Sequence, residues 1–284
     1  MLTEEIRINL AGRELAAKQW GDADKPAIIA LHGWLDNAAT YDRLAPGLKD
    51  YRIIALDFAG HGFSSHRPEG VRYHFIDNVD DVIGLADALD LERFTLMGHS
   101  MGTGVSTMLA GSFPDRVEKL ILIEGIGSNT SEAEEAPRVL RSAVSDMKRA
   151  AAKSKPLYET RDEAVEARMK GIGGISRAAA ESLCSRGLMS VSGGFTWRSD
   201  PRLVMSSAIR LTEGMVSAYL KELNMPAMLV TGKQSFLTGN AVISQRIQLV
   251  PQLEWAEYDG NHHLHLEPET FKPVVEMIER FLAQ

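Results

Sequence analysis

Cysteine is nearly absent from this 284-residue chain: Cys184 is the only one. Internal disulfides and thiolate-rich zinc sites are thereby excluded, and a reducing, cytoplasmic setting is the simplest expectation. No apolar run approaches the roughly 20 residues of a membrane span. The acidic opening Met1-Leu2-Thr3-Glu4-Glu5 has no apolar signal region, so no secretory signal is expected. Basic residues are in the minority, 31 Lys and Arg against 38 Asp and Glu for a net charge of -7. A nucleic-acid or anionic membrane partner is not expected from that balance. No phosphate-binding loop of the Walker type occurs, so no nucleotide or flavin is implied. Repeats and low-complexity segments are also missing.

The residues that are present make an ordinary globular balance, 44% apolar and 24% charged, enough for one large α/β domain with an insertion. Ile6 to Trp20 alternates apolar and polar residues around Gly12-Arg13 and reads as a β-hairpin. Short, nearly continuous apolar runs follow at 27–31, 52–56, 94–97 and 120–123, and again at 227–230 and 253–258. Runs apolar on both faces suit buried parallel strands. Helical patterns separate them, most clearly from Ile76 to Leu89, and a last helix is expected over about 268–282. Alternating strands and helices imply a mostly parallel sheet covered on both faces. Between Ser131 and Leu223 no comparable β-run occurs. Several short amphipathic helices are expected there, with Leu140, Val144, Met147 and Ala151 as one apolar stripe. The glycine runs Gly171-Ile172-Gly173-Gly174 and Ser192-Gly193-Gly194 punctuate them. The division is thus a core of 1–125 plus 224–284 and a helical cap of 126–223, inserted where catalytic loops emerge.

Gly98-His99-Ser100-Met101-Gly102 reads G-x-S-x-G directly after an apolar strand. A sharp turn there exposes a serine, and flanking glycines admit the close packing the turn needs. Leu31-His32-Gly33-Trp34 ends an earlier strand. A backbone N–H near Trp34, with that of Met101, suits an oxyanion hole. Asp57-Phe58-Ala59-Gly60-His61-Gly62 is read as structural, Asp57 and His61 fixing loops by hydrogen bonds. A third segment, Asp259-Gly260-Asn261-His262-His263-Leu264-His265-Leu266-Glu267-Pro268, follows the last strand, where the base of a serine–acid–histidine order belongs. Its three histidines have no matching set of metal ligands elsewhere, and no metal is expected.

With four motifs in this order, the chain resembles the α/β-hydrolase-fold enzymes over nearly its whole length. Their histidine loop commonly reads G-H-x-x-H-L-E-x-P. The resemblance places the catalytic histidine at His262, with Asn261 where glycine is usual. His265 is then structural and His263 half exposed. Many members carry the acid after the strand that follows the cap, but the loop Thr231 to Asn240 holds no carboxylate. The haloalkane dehalogenase branch takes its acid after the strand before the cap, where this chain has Glu124. A carboxylate ending an apolar strand needs a partner or a role, because burying it alone is costly. Glu124 is the expected acid and Asp259 the alternative. The cap stretches around Arg138, Arg168 and Trp197-Arg198-Ser199-Asp200-Pro201 are similar to those of serine hydrolase-like proteins, relatives of the dehalogenases and epoxide hydrolases that carry serine as nucleophile.

These features imply a cofactor-independent carboxylesterase acting on a small-molecule ester through Ser100, His262 and Glu124. The same residues also suit acyl transfer or perhydrolysis, or thioester cleavage, and a non-catalytic binding protein of this fold is the alternative from another class. His32, Gly33, His99, Phe195 and Trp197 are the expected pocket residues beside Trp34 and Met101. Arg198 and Arg202 are expected in interdomain ion pairs, Cys184 as a small buried hydrophobe, and Glu132, Glu134 and Glu135 on a solvated helix start.

Overall fold

The computed structural model describes residues 3–10, 12–150 (side chains through 147), 155–171 and 173–284. Met1, Leu2, Ala151 and Ile172, named above, lie outside the described residues. Strands β1 (Thr3–Leu10) and β2 (Arg13–Trp20) form the expected antiparallel hairpin. Then follow β3 (Ala27–Leu31), β4 (Arg52–Leu56), α1 (Asp77–Ala88), β5 (Phe94–His99), α2 (Met101–Ser112) and β6 (Val117–Ile123). The inserted segment carries α3 (Ala136–Ala150), α4 (Arg161–Met169), α5 (Arg177–Gly187), β7 (Leu188–Val191), β8 (Gly194–Trp197) and α6 (Glu213–Lys221). The chain ends with β9 (Ala227–Gly232), α7 (Ala241–Gln248), β10 (Leu253–Tyr258) and α8 (Phe271–Leu282).

Eight strands form one sheet in the order β1-β2-β4-β3-β5-β6-β9-β10. Pairing is parallel from β4 to β10, and β2 meets β4 antiparallel. The period of two divides each buried strand between two cores. Ile29, Leu31, Leu96 and Leu122 face the layer that includes Val82, Leu85, Val105 and Leu109. Ile28, Ala30, Met97 and Ile123 face the opposite layer, with Tyr41, Leu44, Val274 and Ile278. Apolar runs without alternation are therefore explained by burial on both faces. A third cluster lies in the insert around Ala164, Val165, Ala180 and Leu183, and Leu266 of the histidine loop packs into it.

The insert departs from expectation in three places. Ser192-Gly193 is the turn of a small antiparallel hairpin, β7 with β8, rather than a break between helices. Gly193 at φ 88 and Gly194 at φ 141 take up backbone that a side chain would strain. On α3 the buried residues are Val139 and Ala143, whereas Leu140 and Val144 of the expected stripe are 52% and 44% exposed. Apolar residues at both sets of positions permit two rotations of the helix, and packing selects the other one. The ion pairs that join insert to core are also not the expected ones. Arg186 of α5 reaches Asp57 (Nε–Oδ2 2.7 Å) and Glu5. Arg202 instead pairs locally with Asp200 while donating to the carbonyls of Pro68 and Val71. Arg198 lies over the Phe63 ring, 4.8 Å from its centroid.

The β5–α2 turn is packed without room for side chains at its glycines. A Cβ on Gly98 would overlap the Gly102 carbonyl and the Ser106 hydroxyl, and one on Gly102 would overlap the Leu31 carbonyl. Gly102→Ala is expected to cost about 3 kcal/mol through overpacking against backbone, read as a lowered urea-denaturation midpoint; an unchanged midpoint would contradict this packing.

Candidate active site

Ser100 is the single residue between β5 and α2, at φ 51 and ψ −114. A non-glycine residue with positive φ at a tight turn costs on the order of 1–3 kcal/mol. Its N–H is held by the Ile123 carbonyl at 3.0 Å, so the neighbouring strand supports the strained turn. The Ser100 hydroxyl lies 2.9 Å from His262 Nε2. His262 Nδ1 lies 2.9 Å from Glu124 Oε2. With Nδ1–H donating to the carboxylate, Nε2 is left to accept the serine proton, which is the tautomer a general base needs.

Glu124 ends β6 and is itself at φ 59. Its carboxylate is 1% exposed, yet every oxygen is met. Oε1 accepts the N–H of Gly232, and Oε2 accepts the Ser235 hydroxyl as well as the imidazole. The loop after β9, which lacks a carboxylate of its own, thus supplies the donors for one. Asp259 has no such position: its side chain is 81% exposed and pairs with Lys233 at 3.2 Å.

A cavity of about 880 Å³ opens over Ser100. Gly33, Trp34, His99, Met101 and Trp197 line it as expected from sequence. His32 and Phe195 do not. The buried His32 ring packs against Phe58 and His61, with Nδ1 2.6 Å from the Gly33 carbonyl and Nε2 accepting from Phe58 N–H at 3.1 Å. Phe195 sits in β8 and pairs with Tyr158 across an isolated bridge. Additional lining comes from Asp36, His263, Arg168, Ile126, Ile209, Phe236 and Arg246. Phe236 places its ring 4.5 Å from that of His262.

Three histidines, His99, His263 and His265, pack together behind His262. His263 is buried rather than half exposed. Its Nε2 donates to Asp36 Oδ2 at 3.2 Å. His99 Nε2–H donates to the His262 carbonyl at 2.8 Å and so braces the base from its backbone. The buried His265 lies 2.9 Å from the Thr40 hydroxyl, a structural role as expected. Asp57 and His61 likewise fix loops: Asp57 accepts Ala38 N–H and Phe63 N–H, and His61 Nε2 accepts Leu35 N–H.

Among the described residues, Asp36, His99 and His263 bring potential metal-ligand atoms within 4.8 Å of one another. This grouping differs from the histidine run weighed in the sequence. The Asp36 carboxylate is already engaged by the Arg168 guanidinium. Burial would raise the Asp36 carboxyl, but His263 and Arg168 beside it hold it well below the usual range. Protein charge therefore balances this carboxylate.

Sequence reasoning gave no site role to Asp36, Arg168 or Ser235. Asp36 stands four residues past His32, and a buried acid so close to the oxyanion motif was a usable signal. Ser235 carried none, because its role depends on the β6–β9 pairing.

A family model described as the alpha/beta hydrolase fold matches residues 26–269. The chain belongs to this family. Within it the relatives are serine hydrolase-like proteins. One from Dictyostelium discoideum is 32% identical over 93% of this chain and 78% of its own length. Another from Danio rerio is 30% identical over 95% and 86%. A solved hypothetical protein of Pseudomonas aeruginosa is 45% identical, covers 99% of this chain and all of its own, and superposes with a TM-score of 0.96. This hydrolase-fold chain has, among its described residues, no helix long and apolar enough to cross a membrane.

The buried histidines tie stability to pH. Burial above all lowers His32 to about 4 and His61 to about 3, the latter with help from His32. An unfolded histidine takes up a proton near pH 6.5, whereas these two refuse it in the fold. Their stabilising effect is complete above that pH and is lost as pH falls toward the lowered values. Each is expected to remove up to about 2 kcal/mol of unfolding free energy between pH 7 and pH 5. Urea denaturation across that interval tests the assignment, which a flat profile would refute.

Proposed function

We propose that this chain is a cofactor-independent serine hydrolase, a carboxylesterase on small or medium acyl esters, with residues 126–223 as a cap over a core of 1–125 and 224–284. The observation that carries this reading is the continuous relay from the Ser100 hydroxyl through His262 to a buried, fully bonded Glu124. His262 Nε2 takes the serine proton as Ser100 Oγ attacks the ester carbonyl. Charge that develops on the carbonyl oxygen falls to the N–H groups of Met101 and Trp34, which border the cavity beside the serine. The imidazolium formed at that moment is stabilised by Glu124, which keeps its negative charge. His262 then protonates the leaving alcohol. A water, deprotonated by the same nitrogen, releases the acid and restores the serine.

Substrate size follows from the space. An 880 Å³ cavity lined by Ile126, Ile209, Leu211, Phe236 and Trp197 accepts an apolar acyl group of moderate size. The buried thiol of Cys184, raised to about 11 mainly by burial, takes no part in the reaction.

Ser100→Ala is expected to lower p-nitrophenyl ester turnover by about 10,000-fold or more with the unfolding midpoint kept. Residual turnover near that of the parent chain would overturn the mechanism, and failure of a fluorophosphonate to label Ser100 in the parent would favour the non-catalytic reading. Glu124→Gln keeps the shape but leaves an amide opposite Nδ1, so kcat is expected to fall by about 1,000- to 10,000-fold. An unaffected kcat in that variant would remove Glu124 from the relay. A panel of oxygen esters, thioesters and amides, with an added alcohol as competing acceptor, separates hydrolysis from acyl transfer.

A further inference from the structure

The loop that carries the Trp34 N–H is held from the cap side. A turn bond within the loop and a core contact just after it give it shape. The Gly33 carbonyl accepts Asp36 N–H at 3.2 Å, and Ala38 N–H donates to Asp57 Oδ1 at 2.8 Å. Between them, Leu35 stands at φ 61, a backbone region that disfavours a branched side chain. Its own N–H reaches only the His61 ring nitrogen, at 3.3 Å.

The other three residues of this stretch each meet a different part of the cap. Trp34 Nε1–H donates to the Leu203 carbonyl at 3.0 Å. Asn37 Nδ2–H donates to the Leu183 carbonyl of α5 at 3.0 Å. Asp36 receives the Arg168 guanidinium of α4. The Asp36 pair is the strongest of these in kind, since it joins full charges with both side chains largely out of water. It also reaches further. The second Asp36 oxygen accepts from His263, the residue after the catalytic base. One carboxylate thereby ties the oxyanion loop to the histidine loop, and one cap arginine holds that carboxylate.

We propose that Arg168 is a positioning residue of the hydrolytic site: through Asp36 it keeps the 33–37 loop in the shape that aims the Trp34 N–H at the oxyanion, so that turnover depends on the docked cap. The inference rests on the esterase reading above. Arg168 itself touches no reacting atom. Its loss acts on the transition state, because an N–H aimed at the developing oxyanion contributes little before the oxygen carries charge.

The test compares Arg168→Met and Arg168→Lys with the parent chain in three measurements. These are ester kinetics, inhibition by a trifluoromethyl ketone that forms a tetrahedral adduct on Ser100, and inhibition by a neutral amide analogue that binds without reacting. For Arg168→Met we expect kcat to fall about 10- to 100-fold, a part of the roughly 100- to 1,000-fold that a lost oxyanion donor costs. KM stays within about threefold. Affinity for the ketone falls by the same factor as kcat/KM, while affinity for the amide is unchanged. Arg168→Lys keeps the charge with a single donor group and recovers part of the loss. If the Met variant does not fold, the Lys variant carries the same comparison. Unchanged kinetics in a folded variant overturn the proposal. So does an equal loss of ketone and amide affinity, which marks a binding or merely structural role. A parent chain that neither cleaves esters nor reacts with a fluorophosphonate overturns the esterase reading itself, whereas a reactive parent with an indifferent variant overturns this inference alone.

Discussion

A negative charge buried at the end of β6 sets the terms for the rest of the site. Glu124 has almost no contact with water, and an unpaired carboxylate there would cost several kcal/mol. The fold meets it with three donors: the Gly232 N–H, the Ser235 hydroxyl and the His262 ring. The first is the last residue of β9 and the second lies in the loop just after it, in reach because β6 and β9 are neighbours in the sheet. The third is the proposed base, His262, whose tautomer and orientation follow from the same bond. Removing the charge while leaving the shape therefore disturbs the chemistry before it disturbs the fold.

The sheet brings these groups to one edge. Ser100 follows β5, Glu124 follows β6, and His262 comes after β10, all at the carboxyl ends of parallel strands. Two residues sit in costly backbone conformations there, Ser100 and Glu124, and a third, Leu35, stands in the loop after β3. Such outliers persist where surrounding structure holds them. For Ser100 the support is the β6 carbonyl and a glycine-lined turn. For Leu35 it is shared between the core and the inserted segment. Burial holds the rings of His99 and His265, behind the site, well below the usual histidine range.

Much of this was legible in the sequence because it is local. Strand positions followed from short apolar runs, and Ser100 and His262 from motifs at their ends. Glu124 was singled out by the resemblance to the dehalogenase branch, with a physical reason beside it, since a carboxylate closing an apolar strand needs a partner or a role. What was not legible depends on rotation and on distance. His32 shares a motif with the oxyanion loop, yet adjacency does not say which side of the backbone a ring takes. On α3, apolar residues at 139, 140, 143 and 144 fit two helical faces, and only tertiary packing selects Val139 and Ala143. Phe195 stays out of the cavity lining although Trp197, two residues on in the same strand, enters it. Ser235 and Arg168 act across 111 and 132 residues of chain, a range no local pattern spans.

The order in which the relay appears along the chain has a consequence for biosynthesis. Ser100 is paired with a base 162 residues downstream, and Glu124 with one 138 residues downstream. A nascent polypeptide leaving the ribosome therefore displays the nucleophile turn and the carboxylate long before anything can neutralise or activate them. Hydrophobic strands made early also wait for α8 to cover one face of the sheet. The Ser100–His262–Glu124 relay cannot close until residue 262 has been made, and it closes together with the α8 layer of the fold.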